Sequence, residues 1–371
     1  MENYDLDNFE PVAKIVVIGV GGAGNNAVNR MIDEEINNVE FWVANTDKQA
    51  LSTSKSSNRL ILGQEITGGL GAGGEPEMGE KAAEASVDDI KEIVKDANMV
   101  FIAAGMGGGT GTGAAPVVAR IAKDAGALVI AIVTRPFSFE GKKRIVNSIE
   151  GLNKLRENVD SIIVVSNDKL LVTSGNASIG NAFSNSDKVL AQSVKTVVNL
   201  IMLPAIINLD FADVRNTLKD SGVAMIGFGM SSGPNRAKDA SNEALNSPLL
   251  EASLTGARRA IVAVTCGLNV TLFDAQEAVR ILQDTAGGDI DIKFGVSIND
   301  QLTDEILVSI IASDFEDEVV FTEPTPASRS QQSSENIFTN NPIQNHQSEK
   351  RDESDISLSE DDVLPSFLKN F

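Results

Sequence analysis

The sequence predicts an α/β protein made of two domains joined by a long helix. Between residues 14 and 181, apolar β-branched segments alternate with helical stretches, which is typical of a parallel sheet covered by helices on both faces. A second alternating region runs from residue 221 to 315. Between them, apolar side chains recur at helical spacing over residues 187–203, which predicts the connecting helix. A chain of 371 residues is long enough for two domains.

The strand predictions rest on short apolar runs bounded by glycine or polar residues. In the first region the runs are 14–18, 41–44, 99–104, 128–133 and 161–165. In the second region we predict strands at 224–229, 259–265, 291–296 and 305–313, with helices at 235–246 and 272–286. Ligands bind at the carboxyl ends of the strands in open parallel sheets, so we expect the main site at that edge of the first sheet.

A glycine loop follows the first predicted strand. Gly19–Gly24 has the spacing Gly-x-Gly-x-x-Gly, between a strand and a predicted helix that starts with Asn25 and Asn26. An acidic residue, Asp47, ends the next strand about twenty residues later. Taken alone, this pattern indicates a dinucleotide site, and an NAD-dependent oxidoreductase is one interpretation of it.

A denser glycine loop, Gly107–Gly113, joins another strand to a helix with Pro116 placed in its first turn. Such a loop presents unpaired backbone N–H groups and the positive end of the helix dipole to an anion. Glycine lets the backbone approach a phosphate closely, and Thr110 and Thr112 add hydroxyl groups. The loop therefore predicts a phosphate site.

Three observations weaken the oxidoreductase interpretation. The loop at Gly107–Gly113 has no role in a standard dinucleotide site, and a third glycine-rich segment lies at residues 68–74. The only histidine, His346, lies in a polar region near the end of the chain, so it is not available as a general base in a folded domain. The sequence also lacks Gly-x-x-x-x-Gly-Lys-Ser/Thr, which excludes a P-loop with its phosphate-binding lysine.

Composition narrows the class further. A net charge of −21 argues against nucleic-acid binding and against direct adhesion to anionic lipid, and it predicts self-association that depends on salt and Mg²⁺. No apolar run reaches membrane-spanning length, so we expect no membrane insertion. The single cysteine, Cys266, lies in a predicted strand, which favours a packed thiol in a reducing cytoplasm over a nucleophile.

The composition changes after residue 315. Residues 316–361 are rich in Ser, Asn, Gln and acidic residues, which predicts a disordered linker. The last ten residues, 362–371, carry large apolar side chains again, and four residues there are candidates for partner binding through coupled folding: Leu364, Pro365, Phe367 and Leu368.

Five motifs in order resemble the FtsZ family of bacterial tubulin homologues. They are Gly19–Asn26, Asn45–Asp47, Gly107–Gly113, Thr134–Gly141 and Asn208–Val214. The resemblance covers residues 11–315 and the extreme C-terminus. It implies a tubulin-like fold with a flexible extension (1–10), a Rossmann-like GTP-binding domain (11–181), a central helix and catalytic loop (182–220), a C-terminal α/β domain (221–315), the linker and the peptide.

The resemblance also implies a function. The chain would be a GTPase that polymerises head to tail into filaments, binds GTP or GDP with Mg²⁺, and forms a cytoplasmic ring at the mid-cell division site. Its C-terminal peptide would bind an actin-like membrane tether and other division proteins. A tubulin-like scaffold that binds GTP without hydrolysing it is a further alternative.

By resemblance, the nucleotide contacts fall on matched positions in several loops. Glu140 and Arg144 would contact ribose and nucleotide, although their spacing also fits an ion pair. Asn167 and Asp187 would recognise guanine, and Phe183 would stack on the base. The remaining predicted contacts, mainly to phosphate, are Gly21, Gly22, Ala23, Gly24, Asn25, Asn26, Asp47, Gly71, Ala72, Gly73, Gly107, Gly108, Gly109, Thr110, Gly111 and Thr112.

The catalytic residues implied by the resemblance are Asn208, Asp210 and Asp213. They would enter the nucleotide pocket of the neighbouring subunit and position the attacking water and a cation there. A simpler interpretation exists, in which Asp210 caps a helix and Asp213 lies in its first turn. No metal site is predicted within a single subunit.

Overall fold

The structure is a computed structural model, and it describes residues 13–174, 179–202, 205–247, 256–286, 290–315 and 321. The predicted extension (1–10), almost all of the predicted linker and the whole C-terminal peptide, with Leu364, Pro365, Phe367 and Leu368, lie outside these residues.

Ten strands form one sheet in the order β3-β2-β1-β4-β5-β6-β7-β10-β8-β9. Their bounds are β1 Ile15–Val20, β2 Glu40–Asn45, β3 Asn58–Ile61, β4 Met99–Gly105, β5 Leu128–Arg135, β6 Ser161–Ser166, β7 Gly222–Ser231, β8 Ala257–Cys266, β9 Asp291–Ile298 and β10 Ile306–Phe315.

The helices lie between these strands. Their bounds are α1 Gly21–Asp33, α2 Lys48–Ser52, α3 Gln64–Thr67, α4 Pro76–Glu84, α5 Val87–Val94, α6 Thr110–Asp124, α7 Lys142–Arg156, α8 Asn167–Ser174, α9 Ile179–Met202, α10 Phe211–Leu218, α11 Arg236–Leu245 and α12 Leu272–Ala286, with a 3₁₀ turn at Ser138–Glu140.

The strands from β3 to β6 are parallel to their neighbours, which confirms the predicted parallel sheet. Residues of β1, β4 and β5 are buried on both faces, as the apolar runs predict for strands covered by helices on two sides. Two clusters of buried side chains fill these faces, one including Val17 and Phe101 and the other Val16 and Ile102. Because successive side chains of a strand point to opposite faces of the sheet, each strand contributes residues to both clusters.

The second domain continues the same sheet. β7 pairs with β6 over three residues, Gly222 to Ala224, and then runs antiparallel to β10. Its own cluster of buried side chains lies between the sheet and helices α11 and α12. Cys266 is buried in that cluster, which confirms the packed thiol.

Several elements differ from the sequence predictions. Helix α1 begins at Gly21, four residues before its predicted start at Asn25. Helix α6 begins at Thr110 rather than near Pro116, so the proline lies in the helix interior, where it cannot donate the bond to the carbonyl four residues earlier. The helix continues past it, because most of its residues are buried against the core. Helix α9 begins at Ile179, eight residues before the predicted start, and strand β3 was not predicted at all.

Candidate nucleotide site

Strands β1, β2, β4, β5 and β6 all end at one edge of the parallel sheet. The loops that follow them carry the predicted nucleotide contacts, from Gly21 after β1 to Asn167 after β6. The structure therefore brings these residues to the carboxyl edge of the sheet, where a ligand site was expected.

The first two glycine loops touch each other. A Cβ built on Gly21 would lie 2.8 Å from the backbone nitrogen of Gly111, and Gly21 has φ +74, a left-handed conformation that favours glycine. At Gly22 and Gly108, by contrast, an added Cβ would meet nothing within 4 Å. These two glycines face open space beside the two loops, and this open space is called the cleft below.

Backbone donors point out of these loops. The first turns of α1 and α6 have N–H groups that no helical carbonyl can accept, and no described residue accepts from the N–H of Gly108 or Gly109. Both helices also direct the positive ends of their dipoles toward the cleft. An anion with several oxygens, such as a nucleotide phosphate, fits this set of donors.

Thr112 and Gly107 differ from the prediction. The N–H of Gly107 donates to Oγ1 of Thr112 at 2.8 Å, and Thr112 is only 2% exposed. The Thr112 methyl group also lies where a Cβ on Gly151 of α7 would be. The Thr112 hydroxyl therefore accepts a hydrogen bond within the loop and does not face the cleft. The Gly107 N–H makes this bond, so it is not available to a phosphate.

Gly24 and Asn25 hold the first loop in shape. A Cβ on Gly24 would lie 2.2 Å from the carbonyl oxygen of Ala103, so Gly24 allows α1 to pack closely on β4. The Asn25 amide, in the orientation that its neighbours require, donates to the carbonyls of Gly19 and Gly21 at 3.0 and 2.9 Å. Both residues are buried, whereas Gly22, Ala23 and Asn26 are exposed.

The third glycine segment packs against the second. The N–H of Gly71 donates to the Thr46 carbonyl at 3.1 Å, and a Cβ on Gly109 would lie 2.8 Å from Cβ of Ala72. The hydroxyl groups of Thr46 and Thr110 are 2.7 Å apart. The loop carrying Gly71, Ala72 and Gly73 is thus held beside the phosphate cradle, meaning the backbone of Gly21, Gly22 and Gly108–Gly111.

Asp47 has a structural use that the sequence interpretation did not include. It is the N-cap of α2, and its Oδ1 accepts from the N–H groups of Gln49 and Ala50 at 2.8 and 3.3 Å. The carboxylate retains a second oxygen for a ligand, because Oδ1 accepts both of these bonds.

Glu140 and Arg144 form an ion pair with each other. Glu140 lies in the 3₁₀ turn and also accepts from the N–H of Phe137 at 2.9 Å, while Arg144 lies in the first turn of α7 and is exposed. The pair therefore spans two elements, and Arg144 is the member that can reach a ligand.

The base-binding candidates meet at the N-terminal part of α9. Phe183 is 42% exposed and packs edge-on against the buried Phe137, with ring centroids 5.0 Å apart. Ser186 donates to Oδ1 of Asn167 at 2.9 Å. Burial raises the pKa of Asp187 to about 7, and the positive charge of Arg30 opposes part of that rise.

Asn208, Asp210 and Asp213 do not join this site. They follow α9, whose 24 residues lead away from the nucleotide edge. From Asp187 to the end of α9 at Met202 the helix axis covers about 22 Å. Asp210 is the N-cap of α10 and accepts from the Asp213 N–H at 2.7 Å, so the capping geometry of the simpler interpretation is present.

Comparisons with known proteins match both domains. The model of the GTPase domain of the Tubulin/FtsZ family matches residues 14–175, and that of the FtsZ family C-terminal domain matches residues 222–316. An empty FtsZ dimer from M. jannaschii is 42% identical over 81% of this chain and 88% of that one, with a TM-score of 0.78. A mutant of the same FtsZ is also 42% identical, over 82% and 91%, with a TM-score of 0.79.

This chain belongs to the tubulin/FtsZ family. It is a GTPase, and the family binds GTP and GDP. The NAD-dependent oxidoreductase interpretation was wrong, because the glycine loop at Gly19–Gly24 belongs to a tubulin-type domain. GDP-bound CetZ1 from Haloferax volcanii is also similar, with 22% identity over 81% of this chain and 93% of that one and a TM-score of 0.70, which shows likeness of fold alone.

Sequence reasoning missed several residues of this family site. Thr46 lies within the motif Asn45–Asp47, which assigns it no role, yet its hydroxyl contacts that of Thr110. Glu75 lies against Gly109 and forms an ion pair with Lys143 at 2.6 Å, which ties the third glycine segment to α7. Phe137 is buried between Phe139 and Phe183. The motif around residues 134–141 was the only signal for Phe137, and it indicated the segment without the contact.

The described residues hold neither a cluster of metal-ligating side chains nor a membrane-spanning helix. Among these residues no three His, Cys, Asp or Glu side chains gather as a metal-binding group. Mg²⁺ that accompanies nucleotides takes much of its coordination from phosphate oxygens and water, with only one or two carboxylates, so a nucleotide-borne Mg²⁺ fits this site without such a group. Within the same residues no helix has the length and hydropathy needed to cross a bilayer.

Proposed function

We propose that this GTPase assembles head to tail into filaments in which each subunit completes the nucleotide site of its neighbour. The observation that carries the proposal is the separation of the two halves of the active site. The phosphate cradle lies at one edge of the first sheet, and Asn208, Asp210 and Asp213 lie beyond the far end of α9.

In the proposal, GTP binds with its phosphates in the cradle. The open space at Gly22 and Gly108 receives the phosphate oxygens, and the unpaired N–H groups of the two helix starts donate to them. Thr110, fixed by Thr46, adds a hydroxyl at the loop tip. The loop of Gly71, Ala72 and Gly73 covers the terminal phosphate, because it packs directly on Gly109.

The guanine base would lie beside the start of α9. An ionised Asp187 accepts hydrogen bonds from guanine N1 and N2, a donor pair that adenine lacks, and Asn167 contributes a second polar contact. Phe183 stacks on the base with its exposed face, while Arg144 contacts the ribose side. Asp187 must lose a proton to act in this way near neutral pH, since burial holds its pKa near 7.

Hydrolysis needs a group that positions water in line with the terminal phosphate. Within one chain, α9 covers about 22 Å from Asp187, beside the proposed base site, to its end at Met202, and Asp210 and Asp213 follow beyond that end, so they cannot provide it. In a filament, the exposed Asn208 and Asp210 and the half-buried Asp213 of one subunit face the cradle of the next. There they orient the attacking water, which displaces GDP from the γ-phosphorus to give phosphate.

Mg²⁺, bound to the phosphates, would neutralise part of the developing negative charge. The residues of this chain supply the rest of the electrostatic stabilisation, through backbone N–H donors on one side and carboxylates that hold the water on the other.

Exposed apolar side chains at both ends of the molecule support such a contact. At the nucleotide end these are Leu70, 88% exposed, and Phe139, 62% exposed. At the end that carries the acidic loop, Ile207 pairs with Val296 of β9, and the ends of β8 and β9 and the start of α12 expose further apolar residues: Ile206, Leu268, Leu272, Phe273 and Ile298. Apolar patches of this kind are typical of surfaces that become buried in an assembly.

The proposal extends to the cell by family resemblance. The filaments would form the cytokinetic ring in the cytoplasm at mid-cell, and the C-terminal peptide with Phe367 and Leu368 would bind an actin-like membrane tether and other division proteins. A net charge of −21 would make assembly sensitive to salt and Mg²⁺, since both screen repulsion between subunits.

Mixed filaments test the shared site. Asp213→Ala protein should bind GTP with wild-type affinity but hydrolyse it slowly by itself. Gly21→Ala keeps an intact acidic loop but has a damaged cradle, because its Cβ would lie 2.8 Å from the Gly111 nitrogen. An equimolar mixture of these two variants should release phosphate faster than the mean of their separate rates, since about half of the intact cradles then meet an intact loop. Asp239→Ala, which removes an exposed carboxylate on α11, is the matched control and should leave turnover unchanged. A mixture of Asp213→Ala and Gly21→Ala that releases phosphate no faster than the mean of the two separate rates would overturn the shared site.

A further inference from the structure

Phe321, six residues after the end of strand β10, is buried in the first domain. Strand β10 ends at Phe315 in the second domain, yet Phe321 is only 4% exposed. Phe321 belongs to the buried cluster on one face of the first sheet, together with residues of β5, α7 and β6, such as Val129, Leu155 and Ile162. This residue departs from the disordered linker that composition predicts from residue 316 onward.

The strand register explains how Phe321 reaches that cluster. β10 runs antiparallel to β7, with Ala312 opposite Met225, so its last residues lie beside the first residues of β7. The start of β7 in turn pairs with the start of β6, where Ser161 lies opposite Gly222. Six residues of extended chain span about 20 Å, which is enough to bring Phe321 from the end of β10 to this corner.

Charged groups already join the two domains at the same corner. Lys123 of α6 donates to the Val159 carbonyl at 3.1 Å and lies 3.5 Å from Asp160 and 3.2 Å from Asp220, which precedes β7. The buried Asp160 also accepts from the N–H of Val129 at 2.8 Å. The β6–β7 pairing and the Lys123 contacts therefore make this corner a fixed joint, with Phe321 buried in the apolar cluster next to it.

We propose that the apolar cluster at this corner is a docking site for the chain that follows the second domain, and that Phe321 is its occupant. Phe321 acts as a latch in two ways. It ties the end of the second domain to the GTPase domain, because its ring is buried in the core of that domain. It also makes the C-terminal tail leave from the flank of the GTPase domain, so any partner of the tail is tethered there.

Burial is the property that defines the latch, and a fluorine label measures it in the intact protein. Phe321→trifluoromethylphenylalanine can be compared with Phe338→trifluoromethylphenylalanine, a control of the same residue type in the tail. A neutral gadolinium chelate in solution should relax the fluorine at 338 several-fold faster than the fluorine at 321. Equal relaxation at both positions in the folded chain would overturn the proposal.

Loss of the ring tests the connection between the domains. Phe321→Ala should raise hydrogen exchange of backbone amides at 159–165 and 222–226 by about tenfold, because the corner opens more often. Phe338→Ala should leave these rates unchanged, and GTP affinity should be the same in both variants. Unchanged exchange in Phe321→Ala would show that the latch does not tie the two domains together. If that variant does not fold, the fluorine comparison decides alone.

Discussion

The Cα atom of Gly21 lies directly against the backbone of Gly111, so that a Cβ there would be 2.8 Å from the Gly111 nitrogen. The two residues belong to separate glycine loops, one after β1 and one after β4, which are adjacent strands of the sheet. Because the loops touch through backbone atoms, the starts of α1 and α6 form one continuous wall of N–H donors.

Gly21→Ala should therefore weaken GTP binding by about tenfold or more, a loss of about 1.4 kcal/mol. The new methyl group would push the two loops apart, and the residue would be strained at φ +74. Equilibrium binding of a fluorescent GTP analogue measures the effect. Gly126→Ala is the matched control, since Gly126 has φ +88 with nothing near its Cβ position, and it should lose stability without losing affinity. Equal affinities for Gly21→Ala and wild type would contradict the continuous cradle.

Substitutions of Thr46 and Thr110 distinguish two roles of the Thr110 hydroxyl, which are contact with a phosphate and the hydrogen bond that holds the phosphate loop in place. Thr46→Val and Thr110→Val each remove the same 2.7 Å hydrogen bond, but only Thr110 lies at the tip of the phosphate loop. We expect Thr110→Val to weaken GTP binding by about fivefold more than Thr46→Val, since it also removes a phosphate contact. GTP affinities of both single variants and the double variant, measured by titration, give the coupling free energy between the two hydroxyl groups. An equal loss of GTP affinity in the two single variants would mean that the Thr110 hydroxyl only holds the loop and does not contact a phosphate.

The sequence predicted the strands of the first domain well, because a buried parallel strand is a local signal. The runs at 99–104 and 128–133 agree with β4 and β5 to within two residues at each end. Strand β3 gave no such signal, since its four residues include Asn58 and Arg59 and it lies at the edge of the sheet. Its pairing with β2 is a tertiary contact that the segment itself does not encode.

Local patterns located the glycine loops but could not assign each side chain within them. Thr110 and Thr112 look equivalent in Gly-Thr-Gly-Thr-Gly, yet helix α6 begins at Thr110 and turns Thr112 inward against α7. Gly22 and Gly24 look equivalent as well, although only Gly22 faces open space. Phe321 is the extreme case, since its burial depends on a domain that ends far earlier in the chain.

Guanine binding should be linked to protonation of Asp187. Its pKa near 7 lies above the ordinary 3.8, so in the absence of nucleotide the folded protein holds an extra proton between about pH 4 and 7, and its stability falls as pH rises through that window. GTP binding that requires the carboxylate must release this proton, up to about one per molecule near pH 6 and almost none at pH 8.

Calorimetric titration in two buffers of different ionisation enthalpy measures the proton release. GTP affinity should rise between pH 6 and 8 in the wild type. Asp187→Asn should show neither proton release nor this rise, and it should discriminate less between GTP and ATP. Proton release that persists in Asp187→Asn would assign the linkage to another group.

Asp210 has a capping role and a proposed catalytic role, and two substitutions distinguish them. Asp210→Ser keeps an N-cap acceptor for α10, whereas Asp210→Ala costs about 1 kcal/mol of stability by losing the bond to the Asp213 N–H. Both should lower GTP turnover strongly, because neither retains the carboxylate. Thermal unfolding measures the change in stability, and phosphate release measures turnover. Full turnover in Asp210→Ser would show that Asp210 acts only as the N-cap of α10.

Cys266 should be an unreactive thiol in the native protein. Burial raises the pKa of its thiol to about 11, so at pH 8 little thiolate is present and the sulfur is also shielded. Its reaction with a thiol-specific disulfide reagent should be slower by about two orders of magnitude in buffer than in denaturant. Equally fast labelling in both conditions would show that the second domain opens readily around β8.

The central claim is that one chain does not contain a complete active site. We would measure phosphate release and 90° light scattering together across protein concentration, with GTP, GDP or ATP and Mg²⁺. We expect scattering with GTP only, and turnover per subunit that rises steeply above a threshold concentration at which scattering also begins. Turnover per subunit that is independent of concentration, with or without filaments, would contradict it.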